Sequence, residues 1–275
     1  MLFWIAMTVA CGETSPDTLV DELRVIASVA TPPEVNPQTP FTFESYLSNP
    51  EEDEVETLTW VCTNLGDGCL EAQGRGTNVH QWTTTDAAAQ WERELAVSTT
   101  IAPLLIEAGS LTVTQVWTLA CTTGTCPIIS EMGDSDGQAD LPEVVQTKLA
   151  NPTEWLSDLP LEGVSIAYQL ITTSLTDEPH ENPTIVPAGD PPTEIEKGET
   201  FTLTFDVDGD FTEQAQLYSY ISAGGFMNLN TFVSAGDSVT VEGTSPESGE
   251  SVQIWMVITD GYGGIGVWTD TLSLV

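Results

Sequence analysis

The stretch "TFTLTFDVDGD", residues 200–210, decides how the second half of the chain is read. Phe201, Leu203, Phe205 and Val207 alternate with Thr200, Thr202, Thr204 and Asp206. A strict period of two places the apolar set on one face of a strand and the polar set on the other. Thr and Phe favour the extended chain, and the Asp-Gly step at 208–209 supplies turn chemistry at its end. Downstream, "AQLYSYIS", "SVTVEG", "SVQIWMVIT" and "GVWTDTLSLV" follow at sandwich-like spacing. "TDGYGG" (259–264) reads as a glycine-rich hairpin turn between the last two strands. The segment from about residue 183 to 275 is thus predicted to be an all-β module of roughly seven strands.

Toward the N-terminus, "TDEPHENPTIVPAGDPPTEIEKGE" (176–199) is rich in Pro, Glu and Asp and reads as a linker running into the leading strand of this module. Before it the alternation returns. "LRVIASVATPPEV" (23–35) reads as a first strand entering a Pro-Pro turn, and "PFTFESYL" (40–47) places Phe41, Phe43 and Leu47 on one face. "TLTWVC" (57–62) does the same with Leu58, Trp60 and Cys62, and "LTVTQVWTLAC" (111–121) with Leu111, Val113, Trp117, Leu119 and Cys121. "GVSIAYQLITT" (163–173) aligns Val164, Ile166, Tyr168 and Leu170. These strands are far apart in sequence, so their pairing is non-local, as in a sandwich. Trp60, Trp117 and Trp255 are expected in core or inter-sheet packing. "DAAAQWEREL" (86–95) reads as a short helix or a loop. "DLPEVVQTKLA" (140–150) and "NPTEWLSDL" (151–159) carry helix-start signatures, the second with Asn151 as N-cap, Pro152 at N1 and Glu154 at N3. Both are expected to pack on a sandwich edge. The fold expectation is all-β: two β-sandwich domains, 22–178 with short helical insertions and 179–275.

Charge limits the partners. There are 42 Asp and Glu against 5 Lys and Arg, a formal −37, in 275 residues. That surface repels nucleic-acid phosphates and anionic head groups, so no nucleic-acid partner is expected. The chain has no apolar run of 18 or more residues, so no helix is expected to span a membrane. Leu2 to Ala10 is a shorter apolar stretch of signal-peptide type, followed by Val9-Ala10-Cys11-Gly12 at its end.

Two resemblances follow from these residues. Val9-Ala10-Cys11-Gly12 resembles the lipobox of bacterial lipoproteins, although Thr8 stands where an aliphatic residue is usual and no Lys or Arg precedes Leu2. The resemblance implies a signal peptide over 1–10, a diacylglycerol thioether on Cys11, a polar tether over 11–21 and membrane attachment through that anchor. "PPTEIEKGETFTLTFDV" with "VQIWMVITDGYGGIGVWT" resembles PKD-like and bacterial Ig-like domains. "LRVIASVATPPEVNPQTPFTFESYLSNP", "LTWVC" and "LACTTGTCPI" resemble an uncharacterised family of Gram-negative (myxobacterial-type) surface lipoproteins. The implied architecture is a pair of Ig-like sandwiches in the cell envelope, outer-membrane-anchored and facing the periplasm or the surface. Each half also opens with a Pro-Pro step and Glu-Val or Glu-Ile before an alternating Phe strand, which suggests a distant internal repeat.

Export favours disulfides. Cys11 is the odd one of five cysteines, leaving Cys62, Cys69, Cys121 and Cys126 to pair in one of three ways. Gly and Asn in "TNLGDG" and "TTGT" favour local closure, Cys62 with Cys69 and Cys121 with Cys126; an inter-sheet Cys62–Cys121 bond beside Trp60 is the alternative. A zinc site with His80 lacks the usual knuckle spacing. Asp206, Asp208 and Asp210, with Glu213 nearby, are candidate calcium ligands, as are the acids of "DSDGQADLPE"; neither fits the EF-hand template. No other cofactor is expected.

Catalytic signals are sparse. His80 and His180 are the two histidines, and there is no G-x-S-x-G elbow, P-loop or dinucleotide fingerprint. Trp82, Trp91, Tyr218 and Tyr220 are candidates for a sugar-stacking platform, weighed against partial burial. The expected function is a non-catalytic, lipid-anchored binding, adhesion or scaffold module with a protein or glycan partner. The alternatives are a carbohydrate-active enzyme or carbohydrate-binding protein with its site in the 63–110 loop region, or a structural spacer.

Overall fold

Backbone pairing sorts the described strands into four sheets, two to each half of the chain. The computed structural model describes residues 18–35, 40–63, 78–86, 90–96, 112–132, 148–149, 155, 158–160, 162–173 and 180–275. The first half carries β1 (Arg24–Thr31), β2 (Glu34–Val35), β3 (Pro40–Ser48), β4 (Val55–Thr63), β5 (Asn78–Asp86), β6 (Gln90–Ala96), β7 (Thr112–Thr122), the short helix α1 (Pro127–Met132) and β8 (Val164–Thr173). The second carries β9 (Thr184–Pro187), β10 (Glu194–Ile195), β11 (Thr200–Asp208), β12 (Gln216–Ile221), β13 (Gly225–Phe226), β14 (Asn230–Phe232), β15 (Ser238–Thr244), β16 (Ser251–Thr259) and β17 (Ile265–Leu274).

The two halves share one topology. In the first, β1-β3-β6 faces β2-β8-β7-β4-β5; in the second, β9-β11-β15-β13 faces β10-β17-β16-β12-β14. In each, the two-residue strand after the Pro-Pro step leaves the leading sheet and pairs in parallel with the last strand of the other: Val35 with Thr173, and Ile195 with Leu274. All other strand pairs in the two halves are antiparallel. This is an all-β fold of two Ig-like sandwiches.

The second sandwich follows its sequence pattern. Phe201, Leu203, Phe205 and Val207 point inward and Thr200, Thr202, Thr204 and Asp206 outward. They meet Leu217, Ile221, Ile254, Met256, Ile258 and Leu272 from the opposite sheet in one apolar core. Trp255 is buried as well, but it lies out of phase with the core-facing Ile254 and Met256.

The first half of the chain departs from its pattern in three places. Its inter-sheet core is made by Phe41, Phe43 and Ala30 against Val61, Val116 and Ile171. Leu58, Trp60, Trp117 and Leu119 form a separate cluster with Ile128 and Ile129 of α1 and with Leu149, Trp155 and Leu159. The helical insertion between β7 and β8 therefore covers the outer face of a sheet rather than a sandwich edge. Trp60 Nε1 donates to the Leu149 carbonyl at 3.2 Å, and the Trp60 and Trp117 rings stack with centroids 5.7 Å apart. Covering this face is what allows β4 to be apolar on both sides. Further along the same face the cover runs out, and Ile166 and Tyr168 are exposed.

The second departure is at 86–95, read from sequence as a helix or loop. Residues 90–96 form β6, paired antiparallel with β3 from Pro40↔Ala96 to Tyr46↔Gln90. Sheet pairing overrides a modest helix propensity here, as strand context commonly does. The third is the tether. Residues 18–20 are not free: Leu19 bridges Ile221, Val20 N donates to the Ile221 carbonyl at 2.9 Å, and Thr18 and Val20 are fully buried. Phe226 N donates to Thr18 Oγ1 at 2.9 Å. The chain thus docks on the second sandwich before it begins the first. Of the helices expected at 140–150 and 151–159, residues 148, 149 and 155 are helical, 158 and 159 form a turn and bend, and the rest lie outside the described residues. No helix among the described residues is long and apolar enough to cross a membrane.

Candidate functional site

The residues between the sandwiches form a joint and, beside it, a cleft. In the joint, Ala27, Val29 and Tyr46 of the first sandwich pack on Val257 of the second, with Ile26, Tyr218, Tyr220, Ile265 and Val267 around them. These side chains come from the outer faces of β1 and β3 and of β12, β16 and β17. Tyr218 and Tyr220, candidates for a sugar platform, are half-buried here instead. The Arg24 guanidinium lies over the Tyr220 ring, 5.4 Å from its centroid. Burial pushes the Tyr220 phenol above its ordinary range; Arg24 opposes the shift and Tyr218 adds to it. Burial also raises Tyr46, further raised by its hydrogen bond to Glu44 and by that carboxylate's charge.

The predicted linker is the other half of the joint. Asn182 Nδ2 donates to the Ala30 carbonyl at 2.7 Å, while its Oδ1 accepts from Ile265 N at 2.9 Å, so one amide spans both sandwiches. His180 N donates to Glu34 Oε2 at 3.2 Å, and His180 Nε2 meets Asp260 Oδ2 at 2.6 Å. Gln169 Nε2 donates across to the Gly263 carbonyl at 3.2 Å, and its buried Oε1 has no partner among the described residues.

Asp260 is the anchor of this arrangement. It is fully buried in the hairpin turn "TDGYGG", and its Oδ1 accepts from the backbone N–H groups of Tyr262, Gly263 and Gly264 at 2.6, 3.0 and 3.0 Å. Those three donors satisfy a carboxylate that would otherwise be costly to bury. Gly263 takes φ 115°, a conformation L side chains rarely adopt, and a Cβ at Gly264 would collide with the Asp260 carboxylate. The sequence pattern D-G-x-G-G carried this signal; a lone His in a Pro- and Glu-rich linker did not.

Beside the pair opens a cleft of about 590 Å³. Pro33 and Glu34 line it from the first sandwich, His180 from the linker, and Asp210, Phe211, Gly261 and Tyr262 from two loops of the second. Tyr262 is 60% exposed, and its ring meets that of His180 in an edge arrangement, centroids 5.3 Å apart. With His180 Nε2 engaged by Asp260 and its backbone N–H by Glu34, the geometry fixes the imidazole as a strut at the cleft wall.

The other predicted site residues are dispersed. Cys121 and Cys126 form a disulfide that closes the turn between β7 and α1, which excludes the Cys62–Cys121 alternative. The Cys62 side chain, Cys69 and Cys11 lie outside the described residues, as do the side chains of His80, Trp82 and Trp91 and the acids at 134–143. Asp206, Asp208 and Asp210 are not brought together as a calcium site. Asp206 and Asp208 project two residues apart from the exposed face of β11, about 7 Å of strand. Asp208 Oδ1 accepts from Gly209 N, while Asp210 turns into the cleft. Calcium needs six to eight oxygens at about 2.3–2.6 Å. Among the described residues no three His, Cys, Asp or Glu side chains gather to hold a metal ion.

Fold and site together define a tandem of Ig-like sandwiches docked face to face with a cleft at the seam. No protein-family model matches the chain, and the search of curated proteins found no match. Many solved structures match, and two of them align over most of its length. One is an Escherichia coli alpha-2-macroglobulin activated by porcine elastase, with 10% identity, a TM-score of 0.24, and coverage of 94% of this chain and 22% of that one. The other is the D0-D1 domain of Intimin, with 9% identity, a TM-score of 0.24, and coverage of 91% and 98%. At those TM-scores neither likeness bears on function.

Proposed function

We propose that this chain is a non-catalytic binding module of the bacterial cell envelope, held to a membrane through an acylated Cys11 and presenting its two sandwiches as one rigid unit. The observation that supports it is the joint. An apolar seam, the Asn182 bridge and the path from Glu34 through His180 to Asp260 fix the domains, and a cleft lined from both remains open to solvent. A spacer has no need of a cleft built across its two domains; a receptor does, since sites at domain boundaries are a common place for ligands. The negative surface suits an exported protein in a saline medium, where the screening length is about 10 Å or less.

Membrane fractionation of the full chain and of Cys11→Ala tests the anchor. The expected result is that the wild type sediments with the membrane, begins at an acylated Cys11 by intact mass, and that Cys11→Ala is released. Retention of Cys11→Ala in the membrane would overturn it. Incubation with envelope glycans is expected to give no product, and turnover of any of them would replace this reading with an enzymatic one.

A further inference from the structure

The ligand class of the cleft can be read from its chemistry. Ionised carboxylates accept hydrogen bonds and cannot donate. Glu34 and Asp210 line the cleft together with Phe211 and Tyr262, and among the described residues no lysine, arginine or side-chain amide does. Asp210 makes no hydrogen bond among the described residues, and Glu34 uses one oxygen on His180 N, leaving the other. The exposed Tyr262 ring offers a π-face. The Tyr262 hydroxyl and the His180 ring can also donate, but the two carboxylates make negative charge the dominant chemistry of the wall, and an anion would meet two like charges under a −37 field. A group that only donates, carries positive charge and is planar enough to stack satisfies all of these features. Guanidinium has five donors, no acceptor, and stacks on aromatic rings.

We propose that the cleft between the sandwiches binds the guanidinium of an arginine side chain presented by a basic segment of a partner protein. Asp210 and Glu34 take its N–H groups and Tyr262 covers its face. The acidic surface around the cleft favours a segment with further positive charge and speeds its arrival, because complementary fields steer association. The proposal rests on reading the chain as a binding module, and it is separable from that reading: the anchor and the absence of turnover stand or fall on the experiments above.

The test is titration of the full chain with N-acetyl-argininamide, a single-charge probe, followed by NMR shifts or calorimetry. Its neutral isostere N-acetyl-citrullinamide and methyl glucoside serve as comparisons. Binding is expected for the arginine probe alone, weakened roughly two- to five-fold by Asp210→Asn and by Tyr262→Leu. Glu242→Gln, on the exposed face of β15, removes one charge from the surface without touching the cleft and is expected to leave the affinity unchanged. Unfolding midpoints of the variants confirm that they fold. The proposal is overturned if the citrulline probe binds equally well, if the glucoside binds and the arginine probe does not, or if Glu242→Gln costs as much as Asp210→Asn, which would mark a diffuse field instead of a site.

Discussion

Asp260 and His180, 80 residues apart, meet at 2.6 Å where the linker crosses the hairpin turn, and Asp260 has no exposed surface. Three backbone N–H groups and one imidazole nitrogen share its two oxygens. Removing the carboxylate takes the acceptor from all three donors, one of them at the buried Gly264, so Asp260→Ala is expected to cost about 3–5 kcal/mol. His180→Ala leaves the three donors in place and is expected to cost about 1.5–3 kcal/mol, the range for a hydrogen bond to a charged group. Urea unfolding of both variants checks the order; a His180→Ala effect larger than that of Asp260→Ala contradicts it.

Alkaline pH should loosen the joint. Tyr46 and Tyr220 both have folded-state pKa values raised above the ordinary phenol value near 10, chiefly by burial. Their contribution to stability is therefore fully present below about pH 10 and is lost as pH rises through the folded-state values. Melting curves between pH 8 and 12 should show a fall beginning near pH 10. Replacing both residues by phenylalanine should flatten that fall, and an unchanged slope in the double variant would exclude them as its source.

The seam itself should couple the two sandwiches in unfolding. Val257 lies within it against Ala27 and Val29. Val257→Asp places an unpaired charge in an apolar contact. Calorimetry is expected to give one cooperative transition for the wild type and two for this variant. A split already present in the wild type would mean that the seam contributes too little to couple the domains.

The Cys121–Cys126 bond closes a loop with a sequence separation of 5, next to the buried Ile128 and Ile129. A loop so short limits the entropic gain to about 2 kcal/mol. Replacing both cysteines by alanine should reduce stability by about that much and perturb near-UV signals from Trp60 and Trp117, which share a cluster with both sulfurs. Loss of the whole fold would contradict so local a role.

The second sandwich was legible from sequence because each face of β11 sees one environment, core or water, so a period of two survives intact. The first was harder. β4 is buried on both sides, by the opposing sheet at Val61 and by the helical insertion at Leu58 and Trp60. The apolar faces read from sequence for β4, β7 and β8 are those turned away from the inter-sheet core. The cleft was the least legible part. Glu34, His180, Asp210 and Tyr262 are scattered over more than two hundred positions, and only the docking of the two domains assembles them. Asp210 stood out for calcium because of its neighbours in sequence, yet in the fold it shares a cleft wall with Glu34, His180 and two aromatic residues.

Thr18 and Val20 also fix how tension enters the molecule. With Val20 bonded to Ile221 and Thr18 to Phe226, a pull on the N-terminus loads the edge of the second sandwich first. The first sandwich, although it comes earlier in the chain, feels no stretch until the Leu19–Ile221 bridge has sheared. In a chain held at its N-terminus, the short docked segment would act as a strain relief: drag on the body of the protein would be borne at a sheet edge, and β1, which carries Ala27 and Val29 of the seam, would keep its register.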